Sequence, residues 1–174
     1  MLPHLTPVGA IHTTLALLCI VVGAVQLLRP KRGTGHRARG YAYVYAILIA
    51  DGAAMLLYRF TGAFNIFHVG ALVNFVLVIV AIVPVLGTPR PAGWKHWHYY
   101  FIAWSYVGLI AAASTEIIVR LSQPATRGLA WSLTAVVTAL ATTIGYVLIQ
   151  RYRPPPDSRT AIDVAAIQRD GAPS

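Results

Sequence analysis

The sequence predicts an all-α fold, a polytopic membrane helix bundle of about five transmembrane helices with a four-helix core. Apolar residues make up 57 % of the chain and charged residues 11 %, whereas a soluble domain has roughly 45–50 % and 25 %. The apolar residues gather into five runs, each long enough at about 20 residues to cross a hydrocarbon layer about 30 Å thick. The basic residues fall almost wholly between those runs. Together these observations exclude a water-soluble globule. They also turn a net charge of +9 from a sign of nucleic-acid binding into a sign of membrane topology.

The runs are Val8 to Leu28, His36 to Tyr58, Ile66 to Leu86, His98 to Val119 and Leu129 to Ile149. Inside lipid every backbone polar group needs an internal partner, so each run is expected to be a helix. Thr34 is placed to cap the second helix, Pro84 and Gly87 loosen the end of the third, and Gln123-Pro124 with Gly128 break the chain before the fifth. Residues 1–150 therefore form the transmembrane bundle. After Arg153 the chain turns polar and carries Pro154-Pro155-Pro156, so residues 151–174 read as a cytoplasmic, mostly disordered tail. The N-terminus lacks a positive region and its first apolar run is long for a signal peptide, so the first helix is expected to stay.

Lysine and arginine counts set the orientation. Arg29, Lys31, Arg32, Arg37 and Arg39 flank the first connection, Arg90 and Lys95 the third, and Arg151, Arg153, Arg159 and Arg169 the tail. Only Arg59, Arg120 and Arg127 fall on the other side. Positive residues favour the cytoplasmic face, which puts the N-terminus outside and the C-terminus in the cytoplasm of a bacterial plasma membrane. Trp94, Trp97, Tyr99 and Tyr100 at one face and Trp131 at the other fit interfacial aromatic belts.

Ionisable residues in membrane helices are costly and tend to face the bundle interior, so their depth carries the functional signal. Near the outer face lie His12, Asp51, His68 and Glu116. Near the inner face lie His36, His96 and His98. The order His12, His36, Asp51 is followed by His68, His98, Glu116, a quasi-repeat of helix pairs that would bring His12 toward His68 and His36 toward His98. On the fourth helix Glu116 lies five turns after His98, near the line of Ser105, Leu109 and Ala112. His12, Cys19, Gly23 and Gln26 form a small and polar stripe on the first helix. Thr134, Thr138, Thr142 and Gly145 give the fifth a small-residue face, suited to packing outside a four-helix core.

Two histidines from different helices at each end of a bundle could hold b-type haem at both axial positions. The order of His12, His36, His68 and His98 resembles that of the diheme cytochrome b561 class, a resemblance that implies electron transfer with a quinone as partner. Because His36 sits among arginines, the pair His12 and His68 is the stronger expectation, and His96, about 200° around the helix from His98, is the spare. Equally open is a plain interfacial role for these histidines, with no cofactor. Asp51 could pair locally with a tyrosine or with Arg59, and Glu116 with Arg120 one turn on. A further alternative is a zinc or iron site made by His12, Asp51, His68 and Glu116. Cys19 is the single cysteine, which excludes an intramolecular disulfide and a cysteine metal cage.

Signatures of hydrolases, metalloproteases, P-loops and dinucleotide sites are missing, and Gly33-Thr34-Gly35 reads as a turn before a helix. Two function classes remain: a membrane redox protein, or a non-enzymatic small transporter or accessory subunit of a membrane complex. The sequence Gly35-His36-Arg37-Ala38-Arg39-Gly40-Tyr41, followed by His68, His98 and Glu116-Ile117-Ile118-Val119-Arg120, resembles the bacterial membrane family known as domain of unknown function 2306. That resemblance covers about Ile11 to Arg120. It implies a small multi-helix protein of the bacterial membrane and no particular chemistry.

Overall fold

A computed structural model of the chain describes residues 6–58, 62–122 and 126–153. The expected disorder of the tail past Arg153, and any pairing of Asp51 with Arg59, lie outside those residues. Five helices follow one another: α1 (Pro7–Leu28), α2 (Gly33–Ala54), α3 (Ile66–Leu86), α4 (Trp94–Ser122) and α5 (Arg127–Arg151). Among the described residues there is no strand.

Local chemistry fixes most of the helix ends. The Thr6 hydroxyl accepts from the Gly9 N–H and Pro7 opens α1, where its missing N–H costs nothing. At α3 the Asn65 side chain accepts from Phe67 N–H while the Asn65 N–H donates to His68 Nδ1, a capping box built with histidine. Thr126 caps α5 through the Leu129 N–H. Thr34, expected to cap α2, lies instead inside it, because the chain turns one residue earlier at Gly33, whose φ of +82° suits glycine and strains other residues. The helix consequently takes in His36 and ends at Ala54, short of the expected Tyr58. Pro84 is accommodated inside α3, which runs on to Leu86.

Four helices, α1, α3, α4 and α5, are long and apolar enough to cross a membrane. The polar opening of α2 and its Asp51 keep it below that mark, yet it accompanies α1 along its length. His12 contacts Ala50, Cys19 contacts Tyr43, and Gln26 contacts His36. Each step is seven residues, two helical turns, forward on α1 and backward on α2. The two helices are therefore antiparallel in a fixed register, and α2 reaches the same levels as α1. A helix enclosed by neighbours can be less apolar than one facing lipid, and Tyr43, Val44, Ala46, Ile47, Ala50 and Asp51 are buried.

Packing closes a ring. Neighbouring contacts run α1 to α2, α2 to α3, α3 to α4 and α4 back to α1, while α5 touches α4 alone. The core holds Cys19, Tyr43, Ile47, Val78 and Leu109. Close approach of α1 and α4 depends on Gly23, where an added Cβ would fall into the ring of Tyr106. That ring is not free to swing, since its hydroxyl donates to the Ile20 carbonyl at 3.1 Å. On α5 the buried Gly145 lies directly against Val107 of α4, and Thr138 meets Thr115. Of the expected small-residue face, Gly145 is buried and Thr134 half-buried, while Thr138 and Thr142 are exposed.

Overpacking a tight helix crossing costs about 1–3 kcal/mol. Gly23→Val is therefore expected to lower the stability of the detergent-solubilised protein by that amount in thermal unfolding followed by circular dichroism. A variant as stable as the unaltered chain would mean that α1 and α4 are not held together at this point.

Candidate functional site

The end of the bundle that carries the α1–α2 and α3–α4 connections brings together side chains from three helices, Gln26, His36, Arg39 and His98. His36 opens α2 and His98 lies in the second turn of α4, on diagonally placed helices of the ring. Their ring centres are 6.5 Å apart and the planes meet at 89°. His98 Nδ1 lies 3.0 Å from the Ala81 carbonyl oxygen, and a carbonyl can only accept, so Nδ1 carries the proton and Nε2 a free lone pair. Pro84, three residues beyond Ala81, removes an N–H from the ladder at this level.

His36 has the opposite tautomer. The Gln26 amide nitrogen lies 2.6 Å from its Nδ1 and donates to its backbone carbonyl at 2.9 Å, while the Gln26 oxygen accepts from Arg39 Nε at 2.9 Å. Those two fixed partners leave the amide one orientation, so it donates to His36 Nδ1 and the ring proton resides on Nε2. Around the pair, Lys31 lies over the Tyr99 ring at 4.8 Å and the Tyr99 hydroxyl donates to the Ile149 carbonyl. His96 is exposed and stacks on Tyr100.

Half-way through the bundle the Tyr43 and Ser105 hydroxyls share a hydrogen bond of 3.1 Å, with Ser105 fully buried. Cys19 donates to the Tyr43 carbonyl. One turn farther along α4, Gly108 leaves space for Asn74, whose oxygen would lie 3.4 Å from a Cβ there.

At the far end Asp51 and Asn74 are both buried, and the Asn74 amide donates to Asp51 Oδ2 at 2.9 Å. The Asn74 oxygen has no hydrogen-bond partner. His12 donates from Nδ1 to the Ala50 carbonyl at 2.9 Å, which leaves its Nε2 bare. His68 is 2 % exposed and lies between the rings of Tyr58 and Phe64, at 4.9 and 5.0 Å. Because its Nδ1 accepts the Asn65 N–H, its proton is on Nε2, and that nitrogen is buried without a partner.

The four residues expected to converge here do not. The Glu116 side chain is 46 % exposed and bonded to Arg120 at 2.6 and 3.0 Å, the local i, i+4 alternative. Alignment with His98 along α4 did not bury it, because at that level α4 buries Ala111, Thr115 and Val119. Among the described residues no three His, Cys, Asp or Glu side chains gather as metal ligands, and no ring contact joins His12 to His68. Of the expected pairs, His36 and His98 are joined by a ring contact. The sequence signal for Asn74 is a lone amide in the mostly apolar Ile66–Leu86 run.

The family described as Predicted membrane protein (DUF2306) matches residues 9–153. The chain belongs to that family. No curated protein and no solved structure matches it. For this DUF2306 protein the comparison fixes what the bundle already suggests, a multi-pass membrane protein, and leaves its chemistry to the side chains.

Their fit to a haem divides by residue. His36 and His98, on different helices with ring centres 6.5 Å apart, are the pair that would hold one. His98 is prepared for ligation, its other nitrogen held by a carbonyl as ligating histidines usually are. His36 becomes a ligand only when Gln26 turns its amide, which forfeits the bonds to the His36 carbonyl and Arg39. At the far end His12 is prepared and His68 is not.

The Asp51–Asn74 pair should behave as a buried unit. Asn74→Leu strands a buried carboxyl group and is expected to destabilise by about 1–3 kcal/mol, whereas replacing both partners by apolar residues costs less than the sum of the single changes. A double-mutant cycle with Asp51→Leu, Asn74→Leu and the double variant, read by thermal unfolding in micelles, measures this. Strict additivity would show that the two side chains do not interact.

Proposed function

We propose that the protein is a membrane redox protein that holds a b-type haem at its basic end between His36 and His98, with a quinone as redox partner. The observation that carries this reading is the 6.5 Å separation of two imidazoles from diagonal helices of a four-helix ring, the arrangement in which a bundle can place a flat cofactor across its interior. A haem held by these residues would supply one-electron chemistry. The chain's own residues do the rest. The Ala81 carbonyl fixes the His98 ring and its tautomer, and Gln26 and Arg39 govern which nitrogen of His36 is available.

A second reading, a small transporter or an accessory subunit without a cofactor, draws on a different observation. Asp51, Asn74 and His68 are buried polar groups at the far end, and intramembrane groups of this kind often line ion or proton routes. Both readings share one topology, with the N-terminus outside and the tail in the cytoplasm of a bacterial inner membrane, supported by eleven basic residues against three.

Purification from haem-replete cells separates the two. A b-type absorbance spectrum is expected in the unaltered protein, lost or strongly reduced in His98→Ala and in His36→Ala, and unchanged in His96→Ala. A colourless protein would end the haem reading. For the topology, a periplasmic reporter is expected to be active at the N-terminus and silent on the tail, and the reverse pattern would invert the orientation.

A further inference from the structure

On the lipid-facing side of the basic end, between the last turns of α3 and the start of α4, lies an open groove of about 390 Å³. Its walls are apolar: Ile79, Val80, Val83, Pro84, Ala92 and Trp97. A second hollow of about 210 Å³ lies beside Trp97, lined also by His96, Tyr100 and Phe101, and Trp97 stacks on Phe101 at 5.5 Å. Trp97, 54 % exposed, thus lines both hollows, which open toward lipid.

At the connection above the larger hollow is Arg90. Its Nε donates to the Val85 carbonyl at 3.2 Å and its guanidinium lies over the Trp94 ring at 4.6 Å. These two contacts hold the group flat while its terminal nitrogens, four N–H donors in a fork that matches a phosphate, take no part in the Val85 bond. An exposed cation is thereby held one residue before Pro91, which lines the apolar groove. The two flanking hollows match a molecule with two chains and one anionic head.

We propose that this face binds an anionic phospholipid, one acyl chain in the groove beside Pro84, the second beyond Trp97, and its phosphate on Arg90. The site rests on the membrane location of the bundle and not on the haem reading. Charge complementarity selects the anionic class: Arg90 would meet the headgroup phosphate, within an end of the bundle rich in arginine and lysine. The straight hydrocarbon slot selects a lipid over a free phosphate.

Quenching of tryptophan fluorescence by brominated acyl chains tests the proposal on the whole protein in phosphatidylcholine vesicles. At the same low mole fraction, brominated phosphatidylglycerol is expected to quench about fivefold more effectively than brominated phosphatidylcholine, the preference that one basic residue near an anionic headgroup gives. Arg90→Gln should bring the two lipids to equal quenching. Val80→Phe, which fills the groove and leaves the charge in place, should also weaken quenching by the anionic lipid, with helix content by circular dichroism unchanged. Equal quenching by both lipids in the unaltered protein, or a preference kept in both variants, would overturn the site. So would loss of the preference on adding excess glycerol phosphate, since that would assign Arg90 to a free anion.

Discussion

Inside hydrocarbon a polar side chain has no water to fall back on, so each one in this bundle is answered by another helix or is left at a cost. His12 answers to the Ala50 carbonyl, His98 to the Ala81 carbonyl, Gln26 to His36, and Tyr43 to Ser105. These bonds also set the register. The first and third of them, with the Cys19–Tyr43 contact between, fix α1 against α2 every two turns, and His98 fixes α4 against α3. The apolar side chains fill the space between, but they would tolerate a slide of one helix along another far better than the hydrogen bonds would.

The same rule shows why the histidines are unequal. In each diagonal pair one ring donates to a carbonyl and presents a lone pair, while the other accepts from a donor and presents a proton. His12 and His98 belong to the first kind, His68 and His36 to the second. The cause lies in the neighbours. His68 is the third residue of its helix and is drawn into capping it, whereas His36 meets an amide whose orientation Arg39 decides.

Much of the bundle was legible in the sequence because lipid imposes a length and an apolar composition. The run Ile66 to Leu86 matches α3 residue for residue, and Val8 to Leu28 misses α1 by one. α2 was harder, since its first turn is made of Gly33, Thr34 and Gly35, residues that ordinarily signal a turn. In the candidate site, depth and order brought His36 toward His98. Phase along α4 failed for Glu116, because a charged residue near a helix end can reach an arginine one turn away more cheaply than it can enter the core. What Asn74 and Tyr43 bond to could not be read. Their partners lie 23 and 62 residues distant, and a hydrogen bond between separate helices leaves no periodic trace in either.

Tyr99 joins parts of the chain that have little else in common. Its ring carries Lys31 from the α1–α2 connection, its hydroxyl is tied to the Ile149 carbonyl near the end of α5, and its backbone continues directly from His98. α5 touches only α4 and would otherwise be a bystander to the polar interior. Through this one phenol the last turn of α5 is tied to the residue next to His98, although it supplies no side chain to the histidine pair.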